Sequence, residues 1–451
     1  MPGLSTGSPR IIPRPEHSIS RANISANALK VLYRLKDAGY QAHLVGGGVR
    51  DLLLGREPKD FDIATDATPE QVRDLFRNCR LIGRRFRLAH VHFGREIIEV
   101  ATFRAPHEAG EAHEGQLGGD GMIVRDNVFG TLEEDAVRRD FTINALYYDI
   151  SDFSIVDYAD GMDDIENGLI RLIGDPETRY REDPVRMLRA IRFMAKLGFR
   201  MAPESEAPLS EMGELLDSVP PARLFEESLK LFMSGHGVAS FEHLRHYGLF
   251  EDLFPETDDA LHEEHDGFPQ TFLLRALENT DKRVMDGRPV TPVFLFAAIL
   301  WPAVRARLRA MAAEDWNVEH VREAGNEVVE EQREFIAIPK RFSLPMREIW
   351  EMQPRLTRRK GRRAYRLITH PRFRAAYDFL CLRAEAGDES PDHCAWWTRF
   401  QESDSDGQRS MTDEGGGGDG KRRRRRRRRP AKGDSAVDPG TKGRTGGGEA
   451  S

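Results

Sequence analysis

The chain has 451 residues, of which 39% are apolar and 31% charged, so it is too long for one compact core and too polar for a membrane bundle. It has no run of about 18 apolar residues, and its opening MPGLSTGSPRIIPRPEH lacks the apolar stretch of a secretory leader. The net charge of −7 argues against a nucleic-acid partner, but its distribution argues for one: residues 401–451 carry net +4, and residues 336–375 hold 12 Lys/Arg against two Glu.

In chain order, residues 1–22 read as a flexible, Pro- and Ser-containing segment. ISANALKVLYRLKDAG is an amphipathic helix closed by Gly39. YQAHLV, KDFDIAT, REIIEVATF, NALYYDI and FSIVDYA read as short strands rich in β-branched and aromatic residues. TPEQVRDLFRNC opens a helix with Thr68 as N-cap and Pro69 first. The polar, Gly-rich stretch 105–123 reads as a loop between strands. Beyond Gly174 the pattern is helical. PARLFEESLKLFMSG, VASFEHLRHYGLF, VTPVFLFAAILWPAVRARLRAM and VREAGNEVVEEQREFIAI all space their apolar residues at about 3.6. From about 401 the composition collapses to Gly, Ser, Asp and Arg, with eight consecutive arginines, and reads as a disordered tail seeking a polyanion. The three cysteines, Cys79, Cys381 and Cys394, have no zinc-site spacing and read as reduced thiols of a cytoplasmic protein. The expected division is a head at 23–172, a helical neck at 173–250, a helical body at 251–400 and the tail at 401–451.

Two features in the head carry chemistry. In HLVGGGVRDLLLG, Gly46, Gly47 and Gly48 join a strand to a helix start, and unhindered backbone N–H groups there suit an anion, with Arg50 in the first turn. The P-loop pattern and the dinucleotide fingerprint are both absent, and an ordinary tight turn is the bland alternative. In KDFDIAT, strand alternation puts Asp60 and Asp62 on one face. Two such carboxylates stay ionised together only around a cation, and oxygen ligands select a hard one, Mg²⁺ or Mn²⁺. A D-x-D alone is commonly a chance surface pair. Beside a phosphate cradle it points to a nucleoside triphosphate and metal-assisted phosphoryl transfer.

LVGGGVRDLLLG and KDFDIAT, followed by RRDFTINAL at 138–146 and REDPVRMLRAIRFMAKLGF at 181–199, resemble the polymerase-β superfamily of nucleotidyltransferases. The branch is that of bacterial poly(A) polymerases and CCA-adding tRNA nucleotidyltransferases. The resemblance implies an α+β fold: a small mixed-sheet head, then all-α neck and body regions. It implies that Asp60, Asp62 and Glu99 hold the metal, that Arg139 meets phosphate, and that Asp140 and Asn144 hold the ribose. Asp183 and Arg186 would pair with the incoming base, and Arg189 would contact phosphate. The null alternatives are local ion pairing at 139–140 and helix capping by Asp183. LIGRRFRLAHVHFG, LKLFMSGHG and the basic segment 336–375 are closer to the poly(A) polymerases than to the CCA-adding enzymes. The expected reaction is template-independent addition of AMP from ATP to RNA 3′ ends, in mRNA or small RNAs, with RNA-decay proteins as further partners. RNA phosphates would lie along Arg358, Arg359, Lys360, Arg362 and Arg363. A CCA-adding enzyme and a non-catalytic RNA-binding protein are the alternatives. A metal site in LHEEHD (His262, His265, Asp266) lacks an evident third partner, and His236 reads as structural.

Overall fold

The structure, a computed structural model, describes residues 8–83, 87–105, 116–117, 123–125, 128–262, 270–311 and 316–413. The first part is built on strands β1 (Arg10–Ile12), β2 (Ala42–Val45), β3 (Asp62–Thr65), β4 (Cys79–Ile82), β5 (Leu88–Phe93), β6 (Glu96–Thr102), β7 (Gln116–Leu117), β8 (Ile123–Arg125), β9 (Leu146–Asp149) and β10 (Ile155–Asp157). Eight of them form one sheet in the order β1-β10-β9-β2-β3-β6-β5-β4, while β7 and β8 pair with each other. Only the β3–β6 pair within this sheet is parallel, so the sheet is mixed and not doubly wound.

Helix α1 (Ala26–Asp37) buries Ala28, Val31, Leu32 and Leu35 against the sheet. Ser25 caps it and accepts from the N–H groups of Asn27 and Ala28. Helix α2 (Gly47–Leu53) follows β2 directly, and α3 (Pro69–Leu75) opens with a Thr68–Gln71 capping box. Helices α4 (Leu132–Val137), α5 (Gly161–Asn167), α6 (Pro176–Glu182) and α7 (Val185–Leu197) surround the open end of the sheet. A short parallel pair, β11 (Leu169–Ile170) with β12 (Arg200–Met201), ties the end of the head to the chain after α7. From α7 onward the described chain is helical, and one apolar cluster runs from Phe141 through Trp301 and Trp350 to Phe400.

Several expectations are corrected. The N-terminal segment is ordered from residue 8: β1 completes an edge of the sheet against β10, and His17 Nε2 contacts the Phe153 carbonyl at 2.9 Å. Within LIGRRFRLAHVHFG, Leu88–Phe93 is a strand paired antiparallel with the edge strand Cys79–Ile82, and residues 84–86 lie outside the described set. Two of the long helical stretches break, at Leu300 and around Tyr247–Gly248. Cys381 and Cys394 form a disulfide across Cα atoms 5.0 Å apart, so only Cys79 is a free thiol. A sequence separation of 13, spanning the end of one helix and the start of the next, hid that proximity. Helix Ser405–Asp413 continues the body, so the tail does not begin at 401. His265, Asp266, the eight arginines and most of the 105–123 stretch lie outside the described residues.

Candidate active site

The turn from β2 into α2 is made by Gly46, at φ 67° and ψ −134°, a backbone conformation that a Cβ disfavours. A Cβ there would also stand 3.5 Å from Arg139 Nη1. The glycines thus bring the start of α2 against the RRDFTINAL segment. Arg50 does not reach outward from α2 toward a phosphate. It is 2% exposed, with Nε and Nη2 on Asp51 at 2.9 and 2.7 Å and Nη1 on Asn144 Oδ1 at 2.6 Å. This correction makes Arg50 a brace for Asn144.

Asp62 opens β3, and Asp60 lies just before the strand, exposed, so strand alternation does not orient the pair. The two carboxylates nonetheless feel each other. Burial, then Glu99, then Asp60 push the Asp62 carboxyl up to about 6, against the pull of Arg139 and His90. Glu99 stands opposite Asp62 in the parallel β3–β6 register, and His90 of β5 contacts its Oε2 at 3.2 Å. Glu96, three residues earlier, bonds Ser25 and Asn27 instead, which separates the structural glutamate from the functional candidate. Among the described residues, no three His, Cys, Asp or Glu side chains close on one point as a finished metal cage. The donor set still suits a hard divalent cation: oxygen-only carboxylates on adjacent strands that raise one another's affinity for positive charge.

Beside this cluster lies a cavity of about 370 Å³ whose lining includes Glu99, Arg104, Arg138, Arg139, Asp140, Asp183, Arg186 and Arg189. Cations crowd it. Burial and the charges of Arg104, Arg139, Arg179 and Arg186 lower the Arg138 guanidinium to about 9. Arg139 is held by Asp135 Oδ2 at 2.9 Å and Tyr147 Oη at 2.7 Å. Arg179 donates Nη2 to the carbonyls of Arg138 and Arg139, both at 2.6 Å, and so fixes the strip that presents them. Such a gathering of guanidinium groups around one cavity suits a polyanion.

Asp140 opposes those cations. Burial would raise its carboxyl, but Arg189, Asn144 and the Phe141 N–H hold it at about 2. Arg189 therefore lines the cavity with its Nε donated to Asp140 at 2.7 Å. Asn144 is 6% exposed and donates to Asp140 Oδ1 at 3.2 Å. Asp183 does not cap α7. It ends α6 and accepts from Arg223 Nη2 at 2.8 Å, and α7 begins with Pro184 as cap and no side-chain bond. Arg186 donates to the Arg179 carbonyl at 2.6 Å and to Glu182 at 3.1 Å, on the same wall. Asp60 faces a second groove, of about 660 Å³, with Ser25, Glu57, Lys59 and Arg95.

The structure thus gathers Glu99, Arg139, Asp140, Asp183, Arg186 and Arg189 around one cavity, with Asp62 beside Glu99 and Asn144 bonded to Asp140. Sequence reasoning passed over Arg138, Arg179 and Arg223; the doubled arginine at 138–139 was the one available signal. In the basic segment 336–375, Arg347, Arg355, Arg372 and Arg374 bond Asn326, Glu351, Glu348 and Asp378, respectively. Arg358, Lys360, Arg362 and Arg363 make no side-chain hydrogen bond or ion pair among the described residues, and Arg359 donates to the Asp392 carbonyl at 3.2 Å. The turn at 357–363 thus groups four such side chains beside Arg359. His262 contacts the Asp258 carbonyl at 2.9 Å and takes no part in the site.

Residues 42–171 match the family model described as Poly A polymerase head domain. Residues 198–261 match "Probable RNA and SrmB- binding site of polymerase A", and residues 314–431 match "Polymerase A arginine-rich C-terminus". The chain is 53% identical over 410 residues to Poly(A) polymerase I of Salmonella typhimurium, spanning 90% of this chain and 88% of that protein. It is 47% identical over 409 residues to Poly(A) polymerase I of Haemophilus influenzae, spanning 90% of each. The CCA-adding enzyme of Lactobacillus helveticus is 39% identical over 231 residues, 51% of this chain and 56% of that protein. Among solved structures, the fold is similar to a tRNA-processing enzyme in apo form (TM-score 0.58, 22% identity, 88% of this chain and 97% of that one). It is also similar to the Thermotoga maritima CCA-adding enzyme complexed with tRNA (TM-score 0.54, 20% identity, 85% and 83%). The match to the poly(A) polymerases is the higher in identity and spans 90% of this chain, whereas the CCA-adding enzymes of Lactobacillus helveticus and Bacillus pumilus match 51% and 67% of it at 39% and 35% identity, and the chain belongs to the poly(A) polymerase family of nucleotidyltransferases.

Proposed function

We propose that the carboxylates of β3 and β6 and the guanidinium-lined cavity beside them carry the template-independent transfer of AMP from ATP to an RNA 3′-hydroxyl, releasing pyrophosphate. The relatives make the chain a polynucleotide adenylyltransferase. The single observation that carries the placement is the juxtaposition at Glu99, which touches both the acidic cluster and the cationic cavity.

The triphosphate fits against Arg138 and Arg139, where converging positive charge lowers one guanidinium and a polyanion would relieve it. Gly46 lets the backbone approach Arg139 closely. Asp140, ionised at every working pH and oriented by Arg189 and Asn144, accepts from a ribose hydroxyl. Asp183 and Arg186 offer an acceptor and a donor on the wall where the base edge would lie. To use them the site must exchange the Arg223 and Arg179 bonds for bonds to the base. Asp60, Asp62 and Glu99 would hold Mg²⁺ or Mn²⁺, which when bound lowers the pKa of the attacking hydroxyl and neutralises the leaving pyrophosphate. The 3′ end would approach from the Asp60 groove, opposite the nucleotide. The head, neck and body division, cytoplasmic action on mRNA and small RNAs, and contacts with RNA-decay proteins belong to the same reading. No helix among the described residues is long and apolar enough to cross a membrane.

The test offers each nucleoside triphosphate separately to a generic RNA oligomer and to a tRNA lacking its CCA end. ATP-specific extension of the generic oligomer is expected. CTP incorporation on the tRNA would instead make the chain a CCA-adding enzyme, and no incorporation at all would leave an RNA-binding protein.

A further inference from the structure

At the far end of the body, a groove of about 610 Å³ is lined by Arg358, Arg359, Lys360, Arg363, Arg399 and Trp396, with Thr357 and Met411 completing it. Its charged lining residues are all cations, so its ligand is anionic. It is also built on an aromatic stack. Trp396 lies 4.8 Å from Phe400 at an interplanar angle of 12°, and the Arg359 guanidinium carbon sits 5.5 Å from the Trp396 ring centre on which it stacks. Neither flank is loose. Trp397 Nε1 donates to the Leu356 carbonyl at 2.8 Å, Arg359 Nη1 donates to the Asp392 carbonyl at 3.2 Å, and the Cys381–Cys394 disulfide anchors the same helix.

Resting on the adenylyltransferase reading above, we propose that this groove is a single-stranded RNA site in which the Phe400–Trp396–Arg359 stack is a platform for an unpaired nucleobase. Arg358, Lys360, Arg363 and Arg399 hold the flanking phosphates. An inorganic polyanion would use the cations but not the ring, and an RNA duplex hides its base faces inside its own stack. A strand with exposed bases uses both, and because every base has a π-face the site reads no particular sequence. The groove thus supplies an anchor for the body of the RNA, separate from the residues that handle its 3′ end.

The test uses the full chain without ATP and four probes: oligoadenylate, a length-matched abasic ribose-phosphate oligomer, inorganic polyphosphate and a blunt RNA duplex. Wild-type protein is expected to bind oligoadenylate tightest. Trp396→Leu, which keeps apolar bulk, should weaken oligoadenylate binding roughly 5- to 100-fold and leave the abasic oligomer within about two-fold. Arg358→Ala with Arg363→Ala should weaken both oligomers together. A second readout does not depend on the folding of Trp396→Leu: oligoadenylate, but not the abasic oligomer, should quench indole fluorescence, and Trp396→Phe should remove that quenching while keeping most of the affinity. Equal loss of both oligomers in Trp396→Leu, no loss of either, or polyphosphate binding as tightly as oligoadenylate would overturn the platform. Failure of the wild type to add AMP would sink the catalytic reading and leave the groove standing.

Discussion

Asp62 and Asp140 are both half-hidden aspartates in one site, and their neighbours drive them in opposite directions. Burial, Glu99 and Asp60 raise Asp62 to about 6, so the folded protein binds a proton there more tightly than the unfolded chain does. In the absence of divalent cation, ionised Asp62 therefore costs stability that develops as pH rises from about 4 and is complete above about 6. Asp62→Asn should raise Tm by roughly 2–4 °C at pH 8 and by almost nothing at pH 4, while abolishing AMP incorporation and leaving RNA binding intact. An unchanged turnover would remove the carboxylate from the chemistry. Asp140 runs the other way: its carboxyl is depressed from 3.8 to about 2, so its stabilisation is full above the unfolded value and is lost as pH falls through the folded one. Asp140→Asn leaves Arg189 without its charge partner. We expect it to cost about 1–3 kcal/mol of stability, to flatten acid unfolding between about pH 4 and 2, and to raise KM for ATP at least about ten-fold through the lost ribose contact. A KM unchanged within about two-fold would detach Asp140 from the nucleotide.

At the scale of elements, the site depends on close approaches that one methyl group would block. Helix α5 packs on the Thr142–Asn144 turn through Gly161, where a Cβ would stand 2.3 Å from the Thr142 carbonyl oxygen. Gly161→Ala should push that turn away from Arg50 and Asp140 and cut kcat/KM for ATP more than about ten-fold, with circular dichroism unchanged; full activity would show that the turn tolerates displacement. The disulfide closes a short loop of separation 13, which constrains the unfolded chain by about 3 kcal/mol. Cys394→Ser, or a reducing agent on the wild type, should lower Tm by several degrees, and Cys79→Ser should do nothing comparable. Equal melting with and without reductant would show that the bridge does not form in solution. These two cases also mark where sequence is readable. Strands β2, β3, β6, β9 and β10 and helices α1 and α3 announce themselves because their periodicity and caps are local. The β4–β5 edge hairpin is masked by interleaved arginines and histidines, and β1 by its proline flanks. Arg50, Asp183 and Arg189 have the residue types of ligands, and nothing local announces their distant partners Asn144, Arg223 and Asp140. No local pattern could announce that Cys381 meets Cys394.

For the whole molecule, the question is how a chain of net charge −7 holds RNA. Apart from the arginine-lined cavity beside β6, positive charge is concentrated in the groove at 357–363 and the eight-arginine run at 422–429. Residues 414–451 carry net +7, so a chain ending at 413 has net charge −14. Each phosphate neutralised on a single strand contributes about −0.7 to the slope of log K against log salt. Truncation after 413 should therefore make that slope shallower by up to about 5 for a long RNA, with a large affinity loss at low salt and a small one at high salt. AMP addition on saturating primer should be unchanged, since no residue lining the proposed catalytic cavity lies beyond 189. Truncation after 400 is a different lesion, because it also removes helix Ser405–Asp413. That helix donates Gln408 Nε2 to the Phe400 carbonyl at 2.9 Å, and its Met411 lines the groove. This shorter chain should lose the same salt dependence and, in addition, the preference for RNA over an abasic oligomer, with a lower Tm. If both truncations give the wild-type salt slope, the arginine run does not bind RNA; if the two behave alike in every assay, the last helix does not support the groove.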